Sequence, residues 1–295
     1  MTTSPRTLLA ATDFSARGDS AVRRAALLAA QHKARLEIVH VLHGLGSTAW
    51  WSESLRDDDD EVLARRSRER LQDLAKRLSA EYGIEVATTQ LRGSVAAVLT
   101  AHAAKTHARM IVLGATGAGA VARRLLGSST QAVLRSSHVP VLVVRNRAEN
   151  DYRKVVFATD FSEGADAAVT EGLALAPGAN TVFFSALDAP RSRIEPALGL
   201  DELTRATKLQ EAREATRDRL GTLAARMGHD GAGIIVRDGR ASEELPVLVH
   251  EVGADLLCLG SEPHPALERW MLGSTSAHAV AEAECDVLVV PHTSS

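Results

Sequence analysis

The chain has 295 residues, 45% of them hydrophobic but only 3% aromatic, and a formal net charge of −3. That length suits about two domains, and an aliphatic composition suits helices packed on sheets. The balance leaves no cationic surplus for a dedicated nucleic-acid binder, and no apolar stretch approaches the ~20 residues that span a bilayer.

The first half alternates strand and helix. Strands are predicted at Thr7–Ala11, Arg35–Val41, Glu85–Gln90, Arg109–Leu113 and Pro140–Val144, with helices at Asp19–Gln31, roughly Asp58–Tyr82, Val95–His107 and Ser129–Arg135. The long second helix places Leu63, Ser67, Leu71, Leu74 and Leu78 on one face, the spacing of an amphipathic helix lying on a sheet. Near-continuous apolar strands alternating with helices point to a parallel sheet covered on both faces.

The second half repeats the first. Ala11-Thr12-Asp13-Phe14-Ser15 recurs as Ala158-Thr159-Asp160-Phe161-Ser162, and Gly260 and Gly273-Ser274-Thr275 stand 146 residues after Gly114 and Gly127-Ser128-Ser129. Strands are predicted at Lys154–Ala158, Thr181–Ala186, Gly233–Arg237, Asp255–Leu259 and Asp286–Val290, with a long helix over roughly Asp201–Met227 carrying Leu203, Leu209, Leu220 and Leu223. So long a period means duplicated domains rather than a solenoid. The expected fold is α/β: two doubly wound domains, 1–147 and 151–295, joined by a polar linker around Asn146–Asp151. Each is a five-stranded parallel sheet of order 3-2-1-4-5 with helices on both faces. The final strands would be exposed edges if each domain stood alone, so the halves are expected to pack as a pseudo-dimer, with homodimerisation left open.

The candidate site lies where that strand order reverses. Asp13 ends strand 1, and Gly114, Gly117, Gly127, Ser128 and Ser129 follow strand 4, so two motifs distant in sequence converge on one crevice. Glycine is needed where backbone lies against a ligand, and a helix start offers main-chain N–H groups to an anion. Each feature also has a plainer reading: the glycines allow a tight strand-to-helix turn, and Asp13 or Asp160 caps the next turn.

These residues, with the Pro140-Val141-Leu142-Val143-Val144 final strand, resemble the universal stress protein family as a tandem pair covering nearly the whole chain. The resemblance implies binding of ATP or AMP, with or without Mg²⁺. Asp13 would approach the ribose or a phosphate-bound metal, main-chain groups around Val41 would meet adenine, and Gly114, Gly117, Gly127, Ser128 and Ser129 would surround ribose and phosphates. It further implies stress adaptation, little or no turnover and pairing through the fifth strands. The protein partner that would read such a nucleotide switch is not identified by the sequence.

The second repeat departs from the pattern. Its corresponding residues are Asp160, Ala186, Gly260, Gly273, Ser274 and Thr275, but Pro263 stands where the first repeat has Gly117, preceded by Glu262. Proline offers no N–H, and a carboxylate there opposes phosphate, so this second site is expected to be weak or empty. A scaffold with vestigial pockets or a non-nucleotide ligand is the alternative function.

Catalysis has little support. No lysine follows the glycines as a Walker motif requires, and neither a Gly-x-Ser-x-Gly nor a His-Glu-x-x-His motif occurs. His40 and His43 are three apart on a strand end and would ligate one metal only if the chain turned between them. Asp57–Asp60 suits the first turn of a helix, and Trp50-Trp51 would cover the ligand, form an interface or pack on a helix. Cys258 and Cys285 read as buried thiols. Met1–Arg6 lacks the apolar core of a signal peptide, so a cytoplasmic protein is expected.

Overall fold

The computed structural model describes residues 7–42, 56–116, 126–145, 150–188, 202–261 and 274–291. His43, Trp50, Trp51, Gly117, Glu262–Pro265 and Gly273 lie outside them, as do the side chains of Asp57–Asp60, Ser274 and Thr275. The described residues divide into two compact units between Asp151 and Tyr152.

In the first unit, β1 (Thr7–Ala11), β2 (Arg35–Leu42), β3 (Val86–Arg92), β4 (Met110–Gly114) and β5 (Val141–Val144) alternate with α1 (Ala16–His32), α2 (Arg56–Tyr82), α3 (Val95–Lys105) and α4 (Ser128–Ser136). All pairings are parallel: β1 with β2 and β4, β2 with β3, and β4 with β5, so the winding reverses between β1 and β4. Neighbouring residues of β3 identify the two covered faces. The Gln90 amide donates to Ala64 O and Ser67 Oγ of α2, at 3.0 and 2.6 Å. Thr89 donates to Glu37 Oε1, which also bonds His102 Nε2 of α3 at 2.8 Å. Strand residues alternate in direction, so α2 and α3 cover opposite faces.

Two local features differ from expectation. Helix α1 begins at Ala16 rather than Asp19 because Ser15 is its N-cap, the hydroxyl accepting the Gly18 N–H at 3.1 Å. On α2 the buried stripe is Ala64, Ser67, Leu71, Ala75 and Leu78, while Leu63 is 50% exposed. Alanines therefore carry part of the contact, letting this helix lie close to the sheet.

The second unit repeats the plan with β6 (Lys154–Ala158), β7 (Asn180–Leu187), β8 (Gly233–Asp238), β9 (Leu256–Ser261) and β10 (Asp286–Pro291), and with α5 (Glu163–Leu175), α6 (Glu202–Arg226), α7 (Ala241–Val252) and α8 (Ser274–Glu282). Here β6 pairs with β7 and β9, β7 with β8, and β9 with β10, again all parallel. The Arg213 guanidinium of α6 binds Asp238, whereas Arg237 binds Glu244 and Glu251 of α7, so consecutive residues of β8 again face different helices.

The cores are packed by exchange of volume. In the first unit Ala10 sits opposite Val112 in the sheet, and Ala25 is buried on α1; the corresponding positions in the second are Phe157, Cys258 and Gly172. A Cβ on Gly172 would lie 2.5 Å from Cys258 Sγ and 2.6 Å from Phe157 Cε1. The missing methyl makes room for Phe157, much larger than Ala10, beside the Cys258 sulfur, as close-packed interiors require. Cys258 and Cys285 are buried thiols. Burial, with Cys285 adding to it, pushes the Cys258 thiol well above its ordinary range. Among the described residues no helix is long and apolar enough to cross a membrane.

Candidate functional site

The chain leaves β1 through a strained turn. Thr12 N–H still donates to Val39 O at 2.9 Å, but Phe14 then adopts φ 60°, a region that costs a bulky residue about 1–3 kcal/mol. Short-range bonds hold it there: Thr12 Oγ1 accepts the Phe14 N–H at 2.9 Å, and Asp13 Oδ1 accepts the Ser15 N–H at 3.0 Å. The Arg70 guanidinium of α2 lies 4.2 Å from the Phe14 ring centre, and the His40 ring packs against the same ring at 4.6 Å. His40 Nδ1 lies 2.8 Å from Thr12 O, and because a carbonyl only accepts, the proton sits on Nδ1.

The second unit has the same turn. Phe161 has φ 64°, Thr159 Oγ1 and Asp160 Oδ1 take the matching N–H groups at 2.9 and 3.0 Å, and Arg219 lies 3.8 Å over the ring. Both aspartates thus serve the turn that positions the N-cap serine of the following helix.

Across the reversal point, Gly114 ends β4. A Cβ there would meet Arg17 O at 3.0 Å, so glycine is what lets the strand end press on the first turn of α1. The carbonyls beyond it are occupied: Gly114 O accepts from Thr130 Oγ1 at 2.9 Å and Ala115 O from Gly127 N–H at 2.8 Å. Gly127 is the N-cap of α4 and supplies no side-chain cap, so the first-turn amides at Ser128 and Ser129 are left to the cleft these residues line.

Together these elements enclose a cleft of about 430 Å³ between β1, β4 and the starts of α1 and α4, a size in the range of small-molecule sites. Asp13, Val41, Gly114, Gly127, Ser128 and Ser129 all line it; Gly117 is outside the described residues. Thr12, Gly18, His40, Thr116 and Thr130 also contribute to the wall; the sequence singles out His40 only as a metal candidate and Thr12 only within the repeated motif, and none of the five as a contact of this cleft. The glycine in Ser15-x-x-Gly18 was a usable signal. A Cβ at Gly18 would lie 2.8 Å from Asp13 Oδ1, so its absence gives the carboxylate its place. The Arg17–Thr116 hydrogen bond, from Nη1 to Oγ1, joins residues too far apart in sequence to be foreseen.

The second unit keeps the scaffold with different chemistry. Gly260 packs on α5 so closely that a Cβ would lie 2.4 Å from the Gly164 carbonyl carbon, and Ser276 Oγ donates to Gly260 O at 3.3 Å, as Thr130 does to Gly114. Ala165, Gly164 and Ser185 replace Gly18, Arg17 and His40, and Ala186 takes the place of Val41 on β7. Gly273 is outside the described residues, and Ser274 and Thr275 open α8. Among the described residues of either unit, no group of three His, Cys, Asp or Glu side chains is placed to hold a metal ion.

Similarity to known proteins agrees with this duplicated architecture. A universal stress protein of Mycolicibacterium smegmatis is 28% identical over 296 aligned residues, covering 96% of each chain. One from Methanocaldococcus jannaschii is 30% identical over 142 residues, 45% of this chain and 78% of that protein. The solved structure of a universal stress protein from Archaeoglobus fulgidus shares the fold, with TM-score 0.68 at 18% identity over 97% of this chain and 98% of that one. The profile of the universal stress protein family matches residues 5–145 and again 151–291, and the chain belongs to that family as a tandem pair of its domains.

Proposed function

We propose that the first repeat binds an adenine nucleotide in the β1/β4 cleft, that the second binds it weakly or not at all, and that the protein acts as a non-catalytic regulator in a stress response. The observation that carries this reading is the convergence of Asp13, Val41 and the open start of α4 on one cleft of about 430 Å³. Uncapped amides at Ser128 and Ser129 suit phosphate oxygens, the end of β2 at Val41 offers main-chain groups and an apolar surface to adenine, and the Asp13 carboxylate suits ribose hydroxyls or a phosphate-bound Mg²⁺.

Asymmetry between the repeats follows from residue chemistry. Where the first has Gly18, Thr116 and Gly117, the second has Ala165, Glu262 and Pro263. These changes add a methyl, introduce an acidic residue into the loop sequence and remove an N–H. Loss of one charge-assisted hydrogen bond alone weakens binding about ten- to a hundredfold. Regulation would work by mass action, since a ligand held only by the folded protein favours its occupied form. Any hydrolysis would be slow, because the cleft presents no lysine and no nucleophile paired with a base among the described residues.

Titration calorimetry with ATP and AMP tests the reading. The expected result is one site per chain, lost in Asp13→Ala and in Gly117→Pro, which imports the second repeat's proline. Two equivalent sites would overturn the asymmetry, and no binding would overturn the nucleotide assignment. Rapid ATP turnover that vanishes in Asp13→Ala would overturn the non-catalytic assignment.

A further inference from the structure

The Arg17–Thr116 hydrogen bond is separate from those that hold the turn and the cap of α1. Arg17 lies in the first turn of α1, and its Nη1 donates to Thr116 Oγ1 on the segment leaving β4. Thr116 is nearly buried and lines the cleft beside Gly114 and Gly127. A hydroxyl that accepts from a guanidinium must aim its own proton elsewhere, because the arginine has no lone pair to receive it. The same cation polarises the O–H bond and makes it a stronger donor. The second repeat has Gly164 and Glu262 at the matching positions and has no such pair.

We propose that Arg17 is a positioning residue of the first cleft, holding the Thr116 hydroxyl as a donor to the phosphates of the bound nucleotide. This rests on the nucleotide reading above and deepens it. It adds a side-chain contact to a site otherwise built from main-chain amides, and it ties that contact to the start of α1. Arg17 acts through Thr116, so the two residues form one functional unit.

The test measures ATP, AMP and adenosine binding by calorimetry, with adenosine followed by competition, for the wild type, Thr116→Val, Arg17→Gln and the double variant. Thr116→Ser, which keeps the hydroxyl, serves as the rescue. Losing one such donor should weaken ATP and AMP about tenfold in each single variant. Adenosine should stay within about twofold, since it has no phosphate to receive the bond. The double variant should bind no more weakly than Thr116→Val, and Thr116→Ser should bind as the wild type does. Equal weakening of adenosine would show that the pair merely braces the fold, and additive losses would show that Arg17 acts on its own; either overturns the proposal. Unchanged ATP binding in Thr116→Val would overturn it as well. A wild type that binds none of the three ligands instead refutes the underlying nucleotide reading, and the proposal falls with it.

Discussion

Gly18 and Asp13 share one small volume: a Cβ added to the glycine would lie 2.8 Å from the aspartate Oδ1 and 2.9 Å from Thr12 Oγ1. The Asp13 main-chain N is next at 3.2 Å, so the methyl of Gly18→Ala would crowd both the carboxylate and the turn that holds it. The second repeat already carries Ala165 beside Asp160, which shows that this turn accommodates the methyl. Gly18→Ala should therefore leave the melting temperature nearly unchanged, because the helical gain of about 0.5–1 kcal/mol offsets the crowding, while ATP affinity falls about tenfold because the methyl enters the cleft wall beside the carboxylate. Calorimetry showing an unaltered Kd would mean that the ligand does not reach the wall at Gly18.

At Gly172 the obstacle is core. Its absent methyl would press on Cys258 Sγ at 2.5 Å and Phe157 Cε1 at 2.6 Å, neither of which has anywhere to go in a close-packed sheet-helix interface. Gly172→Ala should destabilise the second unit by about 1–3 kcal/mol in urea unfolding. Cys258→Ala opens the space, so the double variant should be more stable than the two single losses predict, by roughly 1 kcal/mol. Strict additivity would show that the helix simply shifts away.

The Cys258 thiol gives the second unit an alkaline weakness. Its folded pKa is raised, first by burial and then by Cys285, while in the unfolded chain it titrates at the ordinary value near 9.0. A raised folded value means that the folded state holds the proton more tightly, so the associated stability is complete below about pH 9 and is lost as pH climbs toward the folded value. Unfolding free energy under reducing conditions should fall as pH rises above about 9, and Cys258→Ala should flatten that fall. Parallel profiles for the two proteins would rule out this thiol as the source.

How much of this was legible depended on whether the cause was local. Asp13, Gly114 and Gly127 stand out because each recurs in the second repeat at a strand end or helix start, and a glycine such as Gly114, whose Cβ would strike backbone, cannot easily be replaced. The start of α1 was missed by three residues because Ser15 determines it through a hydrogen bond to Gly18, whereas apolar periodicity begins only where the helix meets the sheet. Spacing places Leu63 on the buried face of α2, but three-and-four spacing is also satisfied by Ala64, and the structure buries that smaller residue instead. Arg17 and Thr116 carry no motif; their pairing arises only when β4 is laid beside β1, which brings the start of α1 to the segment leaving β4.

The left-handed phenylalanine of each repeat makes an unusual ranking of variants measurable. Phe14 at φ 60° and Phe161 at φ 64° hold a conformation that glycine adopts freely and alanine does not. Elsewhere, in a helix or strand, replacing a side chain by glycine is worse than replacing it by alanine. In this turn the order should invert: Phe14→Ala loses the contacts with Arg70 and His40 and keeps the strain, whereas Phe14→Gly loses the same contacts and relieves it. Urea unfolding should place Phe14→Gly about 1 kcal/mol above Phe14→Ala, with the same order at Phe161. The usual order at both positions would mean that the hydrogen bonds of Thr12 and Asp13, and of Thr159 and Asp160, already absorb the cost of the turn.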